Sequence, residues 1–569
     1  MSRFLSILFL KLTCSAHAVD YWISHTVGVG NDTNTGTSSS SPWYSFQHIN
    51  QGGTSNLSGA TSDTVHISVS NTFDGAISVW YQINQPNIIN TSSNHMVTFT
   101  NWGPGRFSFT NSNNDSPGGA IYFSHCSWVR VVNWSATNGY RGVEFDSVTN
   151  FEIGGWVAGY APGNSFVNAP FNIEQNSQSN WILNYYCGPA PGGQGSGNPC
   201  LVGDGGTDCL SEGNYRVGGD LTGFNIFEMG TNEFDGHAGL ELAGHNDYVQ
   251  DMWCLNYPWY EDTWCDRFTN GDSFVLTNYT WWGGREISLG GASESNTVFQ
   301  NFHIDYSGWV PDQPGALDIE NGGNNIVRVG EISCASGVGL MVYGANYGGV
   351  SGSNACYNIS IALCGSNITF YANNMNPIQV SYPLYQHPIG CYGSSNNFFA
   401  NILCWENFDN APYLDDSGEV KDWRSVWTTN NPNFVSLSNS IDSMLSYTNA
   451  SEVVYPNLDL ESGSPAIAGG TWLAYISSTT GSGTSFTVYS NANYFSTGLT
   501  ACTRYIPGDT IQFQASTNIN QVGGTNGPET AIITAIDGNT ITVTPSVSWT
   551  NGFGIALPFT GDKPNVGAY

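Results

Sequence analysis

The sequence predicts an all-β chain wound as a parallel β-helix, with a small barrel- or sandwich-like β insert near its C-terminus. Three observations predict it. First, four similar pieces lie between residues 236 and 344. Each has two aliphatic residues separated by one variable residue: Leu240/Leu242, Ile287/Leu289, Leu317/Ile319 and Leu340/Val342. Period two of this kind marks a strand with one buried face. Second, each piece is closed by glycine, and the first three lead into another β-rich run, DYVQDMWC, NTVFQNFHI or NNIVRVGEI. The same cassette recurs upstream from Ala120, Gly142 and Phe171. A strand–turn unit repeated in order is the pattern of a solenoid, in which each coil covers the apolar face of the next. Third, hydrophobic residues make up 40 % of the chain and charged residues only 10 %, with 68 glycines. That mix suits sheets and turns rather than helices. A sandwich of antiparallel hairpins is the rival; the scarcity of Asn-Gly two-residue turns disfavours it.

In chain order, residues 1–18 read as a signal peptide. They hold an early Arg3, an apolar run over 4–10 and a small-x-small site at Ala16-His17-Ala18. The β-helix is expected over 19–470. A solenoid end exposes a strand edge, so a cap is expected over 21–50, with a short helix within PWYSFQHIN. First strands fall at 63–70 and 75–80, and coils run to residue 405. Inserted loops are expected near 176–235 and 256–284. Over 406–457 the period fades, and DDSGEVKDWRSVW reads as a short helix or a covering loop. Residues 471–560 change texture. TSFTVYS, DTIQFQAS, ETAIITAID, NTITVTPS and FGIALPF are joined by turns such as Asp537-Gly538-Asn539, the pattern of antiparallel hairpins in a small β domain. Residues 561–569 form the closing segment.

The net charge is −31, and −33 without residues 1–18, which carry Arg3 and Lys11 and no acid. So acidic a chain excludes nucleic acid and anionic membranes as partners. No later stretch has the roughly 20 apolar residues of a membrane span. Of 13 cysteines, Cys14 leaves with the signal. The remaining even number fits a secreted protein with most of its cysteines in disulfides. No CxxC pair supports zinc. Nine Asn-x-Ser/Thr sequons make it a candidate glycoprotein.

On a strand the residue between two inward ones faces outward. Stacking the cassettes predicts an outward column of Tyr122, Glu144, Asn172, Glu241, Ser288, Asp318 and Met341. A second column holds Ser124, Asp146, Glu174, Ala243, Gly290, Glu320 and Tyr343. Six of these positions are carboxylates. Rungs lie about 4.8 Å apart and i, i+2 positions about 6.6 Å apart. Glu144/Asp146 and Asp318/Glu320 therefore have the spacing of the acid and base or nucleophile of glycoside hydrolysis. Glu241 is expected two coils from Asp318, roughly 9–10 Å away. Crowded carboxylates also attract a cation, so Ca2+ is the alternative occupant, with Glu144, Asp146 and Glu174 as ligands. A solvated acidic face without a task is the plain reading. His237 and Arg285 adjoin the strands of Glu241 and Ser288. Trp253, Trp259, Trp264, Trp281, Trp282 and Trp309 make this the densest aromatic region. They would form a sugar-stacking platform or pack the inserted loops onto the helix.

GHAGLELAGHNDYVQDMWCLNYPWY and GALDIENGGNNIVRVGEIS resemble secreted right-handed parallel β-helix proteins of the pectin-lyase-like superfamily, as do GSPAIAGG and the closing KPNVGAY. The resemblance implies a right-handed coil over most of the chain. It implies no single activity, because the superfamily holds polysaccharide lyases, glycoside hydrolases, uronate epimerases and non-catalytic surface proteins. Of the polygalacturonase motifs only Gly236-His237-Ala238 comes near, and Arg285 alone offers a basic residue beside the four strands. Two functions follow. One is a glycoside hydrolase acting on an extracellular polysaccharide, with Glu241, Asp318 and Glu320 as acid and base or nucleophile, His237 and Arg285 nearby, and no cofactor required. The other is a non-catalytic coat or adhesive protein that self-assembles at a cell surface. Mass spectrometry of secreted material checks the compartment: the mature chain is expected to begin at Val19, and an intact Met1 would contradict it.

Overall fold

A computed structural model describes residues 18–46 and 48, the β-strands and part of the turns between 63 and 427, and residues 430–439, 454–501, 504–514 and 529–568. Among the described residues one sheet carries 15 strands, from Asp20–Ile23 to Val420–Trp427. A second carries 12, from Gln82–Asn84 to Tyr413–Leu414. Each strand pairs in parallel with those of the coils before and after it, as Leu317–Glu320 does with Ile287–Leu289 and Leu340–Tyr343. Such stacked parallel rungs, with the right-handed crossovers that parallel strands take, make a parallel β-helix. A three-stranded sheet of Thr72–Asp74, Phe107–Thr110 and Trp134–Ala136 adds a third side to the first coils.

The core is built of columns. Ile287, Leu317, Leu340 and Ile389 form one and Leu289, Ile319, Val342 and Cys391 another, all 0 % exposed. Each buried aliphatic chain contributes about 1.5–3 kcal/mol. Facing them from the long sheet are Phe299, Val327, Cys356 and Phe399, then Ile304, Ile332, Ile361 and Cys404. Gly330 leaves the room that the Phe302 ring fills, since a Cβ there would lie 2.1 Å from that ring.

Each long strand bends once. Asn278, Asn301, Val329, Asn358, Asn401 and Ser425 all have positive φ, between 51° and 56°. The register skips each of them: Gln300 pairs Arg328 and Phe302 pairs Gly330, with Asn301 and Val329 left between. The long sheet therefore has two outer faces. Val298, Ile326, Ala355 and Phe398 lie on the first; His303, Glu331, Ser360 and Leu403 on the second.

Strands run through both stretches expected as inserted loops. Trp181–Leu183, Leu201–Gly203 and Leu210–Val217 lie in the first; Thr263–Cys265 and Val275–Trp282 lie in the second. These stretches are therefore coils, disguised by glycine, cysteine and tryptophan where aliphatic pairs mark the others. DDSGEVKDWRSVW likewise contains a strand, Val420–Trp427, paired in parallel with Asn397–Trp405. Residues 1–17 of the expected signal segment lie outside the described residues.

After the helix, six antiparallel strands between Ala474 and Ala556 form one sheet. Its two edges meet at the bridge Ile476↔Val488, which closes a small barrel. Phe486, Ile511, Ile533, Ile541 and Ile555 fill it. The Asp537↔Thr540 pair sets a two-residue turn, with Gly538 at φ 55°. The chain then returns to the helix: Gly567 N–H donates to the Asn401 carbonyl at 2.8 Å and Ala568 N–H to Ser360 Oγ at 3.2 Å.

Five cysteines, Cys334, Cys356, Cys364, Cys391 and Cys404, are buried free thiols. The expected pairing does not hold for these five; the side chains of the other seven lie outside the described residues. Cys356, Cys364, Cys391 and Cys404 pack in the core as small hydrophobes, and burial pushes the Cys364 thiol up to about 12, which leaves it inert.

The barrel docks on the first outer face through apolar contacts and one buried charge pair. Arg328, only 2 % exposed, forks onto Asp509. Its Nη1 also donates to the Tyr357 hydroxyl at 2.9 Å, and Nε and Nη2 donate to Gln300 Oε1 at 2.9 and 2.6 Å. Burial works against the charge, but Asp509 beside it holds the guanidinium pKa above its ordinary value. Arg328→Ala would leave Asp509 buried without its partner. A loss of about 3–5 kcal/mol is expected in chemical denaturation of the full chain. A loss under about 1 kcal/mol would mean this pair does not hold the barrel.

Candidate functional site

The 12-stranded sheet carries the column read from the sequence, with two more rungs in it. Glu144 pairs Tyr122 and Asn172, and Asn172 pairs Val202 before Glu241 is reached. Trp264 then stands between Glu241 and Ser288, which pairs Asp318. Glu241 is therefore three rungs from Asp318, about 14 Å, instead of two. A glycosidic bond is served by carboxyls at most about 9.5 Å apart, closer than the backbone spacing of these two. Asp318 is also 0 % and Met341 4 % exposed, so this end of the column is covered and not solvent-facing. The Asp318 carboxylate lies over Gly315, where a Cβ would meet Oδ1 at 2.2 Å.

Glu144 and Asp146 share the strand Arg141–Asp146, and Glu320 ends Leu317–Glu320. The side chains of these three and of Glu241 and Trp264 lie outside the described residues. So do His237, Arg285, Trp259, Trp309 and Glu174 entirely. Among the described residues no group of three metal-type ligands gathers.

The second outer face of the long sheet brings together a cluster that alternation did not reveal. His303 pairs Glu331 and Asp305 pairs Ser333, so four polar side chains stand at the corners of one cell of the sheet. Their inward neighbours Phe302, Ile304 and Ile332 are in the core. His303 Nδ1 lies 3.1 Å from Glu331 Oε2; the His303 side chain is 58 % exposed and that of Glu331 13 %. The Ser333 hydroxyl donates to Asp305 Oδ1. Loss of water pushes the Asp305 carboxyl up to about 7, with the Glu331 charge adding to this. The Ser333 hydrogen bond and His303 pull the other way. The hydrogen bond to Glu331 raises the pKa of His303 in spite of burial, helped by the charges of Glu331, Asp305 and Asp459.

Segment 454–460 forms one wall. The Tyr306 hydroxyl donates to the Val454 carbonyl at 2.5 Å, and Tyr455 meets the Tyr306 ring edge-on at 6.0 Å. Tyr455 keeps 38 % of its surface exposed. Burial first, and then the Asp305 charge, push its phenol up. On the other side the register lines Trp253 and Thr280 up with His303, and Leu255 and Trp282 with Asp305. Two of the tryptophans singled out in the sequence thus share columns with the acid cluster. Trp281 lines up with Ile304; the side chains of Trp253, Trp281 and Trp282 lie outside the described residues.

No family model and no curated protein matches the chain. Among solved structures it is similar to the mannuronan C-5 epimerase AlgE6 A-module of Azotobacter vinelandii, at 8 % identity and TM-score 0.39 over 64 % of this chain and 91 % of that one. It is similar to pectate lyase Pel9A at 14 % identity and TM-score 0.32, over 82 % and 94 %. It is similar to the GH136 lacto-N-biosidase of Eubacterium ramulus at 10 % identity and TM-score 0.35, over 73 % and 68 %. Likeness this low carries nothing about activity; the fold stands on its own register.

The cluster has a pH signature. Asp305 keeps its proton in the folded chain up to about pH 7, whereas in the unfolded chain it has released it by about pH 4. Stability therefore falls as pH rises through that window. His303, with its pKa raised, adds stability below its ordinary value that is lost as pH rises through the folded one. Both act in the same sense. The melting temperature is expected to fall between about pH 5 and 8, and less steeply in Asp305→Asn. Equal slopes in the two proteins would refute the shift.

Proposed function

We propose that this chain hydrolyses a neutral extracellular polysaccharide on the second outer face of the long sheet. The observation that carries the reading is the placement of Asp305 and Glu331 on adjacent rungs of one outer face, Asp305 protonated near neutrality and Glu331 in an ion pair with His303. They sit diagonally, about 8 Å apart between α-carbons. Carboxyls standing out side by side from such a diagonal can admit a water between them, the arrangement of inverting glycosidases. Asp305 protonates the leaving oxygen, because its environment keeps the proton at working pH. Glu331 takes the proton of the attacking water, and His303 holds Glu331 in place. Tyr455 on one side offers a ring on which a sugar can stack, and on the other side Trp253 and Trp282 share the register columns of His303 and Asp305.

A neutral glycan suits the site. Among the described residues no arginine or lysine joins the cluster, and a chain of charge −31 repels polyanions. β-Elimination of a uronate needs a strong base and cationic neutralisation, which these residues do not supply.

A screen of neutral and acidic glycans, read by reducing ends and by absorbance of unsaturated products, tests the proposal. Reducing ends without absorbance are expected, with activity declining above about pH 7. Asp305→Asn and Glu331→Gln are each expected to lower kcat by about 10²–10⁴-fold in folded protein. Growth of absorbance would make the chain a lyase and overturn these roles. Silence on every glycan, with ordered self-assembly under the microscope, would favour a non-catalytic coat.

A further inference from the structure

A second pocket lies outside the acid cluster, where the barrel meets the first outer face of the long sheet. The cavity measures about 160 Å³. Its floor is Tyr248, Thr277, Val298, Gln300 and Arg328 from four successive rungs, with Asn278 and Asn301 at the bends. Its roof is barrel loop: Ser496, Thr497 and Leu499 on one side, Ile506, Pro507 and Asp509 on the other.

The charges of this pocket are already spent. Arg328 donates all five of its N–H groups, to Asp509, Gln300 and Tyr357. Asp509 neutralises it, and the Asp509 carboxylate also accepts the Ser496 N–H at 2.7 Å. An anion finds no free donor from Arg328, and a cation finds Asp509 occupied. What remains is neutral hydrogen-bonding capacity. Gln300 turns its amide oxygen to Arg328, which leaves its NH2 to donate into the space. Asn301 donates to Thr277 Oγ1 at 3.1 Å, which leaves its own oxygen to accept and the Thr277 hydroxyl proton to donate. Thr497 lines the opposite side. Donors and an acceptor thus border a small space that Tyr248, Leu499, Ile506 and Pro507 also line. That pattern complements vicinal hydroxyls on an apolar ring face.

We infer that this cavity binds one neutral pyranose unit, in a site separate from the hydrolytic cluster and formed only when the barrel is docked. The unit is a sugar end or side branch, since a cavity of about 160 Å³ holds one ring and not several.

Saturation-transfer NMR and calorimetry on the full chain test this with glucose, galactose, mannose and xylose as probes and glucuronate as the charged control. Saturable millimolar binding of at least one neutral sugar is expected, with glucuronate weaker. Thr497→Phe fills the cavity from the barrel side and is expected to weaken binding at least about tenfold with an unchanged melting temperature. Thr497→Leu, a smaller filler, is the second variant and is read by the same loss. Thr497→Ser is expected to bind like the wild type. Asp305→Asn and Glu331→Gln are expected to leave binding unchanged, which separates this site from the hydrolytic one. Absence of binding by every neutral sugar, undiminished binding in the filled variants, or loss in the two acid variants would each overturn the inference.

Discussion

One residue per rung in the left-handed conformation governs the layout of this molecule. Along Asn278, Asn301, Val329, Asn358, Asn401 and Ser425 the backbone turns without breaking the parallel ladder. Asparagine dominates because it accepts positive φ at low cost. A neighbouring column of buried side chains keeps the rungs level. Asn325 Oδ1 accepts the Thr297 N–H at 2.9 Å, Asn354 Oδ1 the Asn325 N–H at 3.0 Å, and Asn397 Oδ1 the Asn354 N–H at 3.2 Å. Each amide satisfies a backbone donor that the turn leaves without a strand partner. Without the bend the long sheet would present one outer face. With it there are two: the barrel takes the first and the acid cluster the second.

The barrel's attraction to its face is apolar, through residues such as Val298, Ile326 and Phe398, with Phe398 stacked on Tyr494 at 4.3 Å. Apolar contact alone does not fix where a rounded barrel sits on a flat sheet. The Arg328–Asp509 pair does, because any other placement strands a buried charge. Asn401 acts in the same way where the barrel segment begins: its Oδ1 accepts the Thr471 N–H at 2.7 Å and its Nδ2 donates to Asn358 at 3.0 Å. An asparagine of the bend thus ties the start of the barrel to the coil stack, and the roof of the polar cavity follows from that placement.

The same bend explains what the sequence could and could not tell. Period two is a reliable guide on the short strands, so Ile287/Leu289, Leu317/Ile319 and Leu340/Val342 are legible as core, and so is the shared column of Ser288, Asp318 and Met341, though not its burial at Asp318 and Met341. Two rungs were missed because Val202 and Trp264 lie in stretches rich in glycine and cysteine, where no aliphatic pair marks the strand. The acid cluster was missed for a different reason. On Val298–Asp305 an outward parity set at Val298 and Gln300 assigns His303 and Asp305 to the interior, alongside Phe299. The left-handed residue Asn301 shifts the parity by one, and both side chains emerge. Only the Asn column itself could have given the shift away.

Val329 is the exception in that column, and its place is informative. A β-branched residue at φ 51° is strained, where asparagine or glycine would sit at ease. It lies between Arg328, which locks the barrel, and Glu331, which faces the acid cluster. Gly330, next to it, is kept bare by the Phe302 ring. Asparagine is the commoner solution on neighbouring rungs, so coil geometry does not require valine here. The amides of this column bond to the rung beside them, Asn301 to Thr277 and Asn401 to Asn358. Valine makes no such bond, so at this rung the bend is held by the ladder on either side and by packing, against the backbone strain of the β-branched residue.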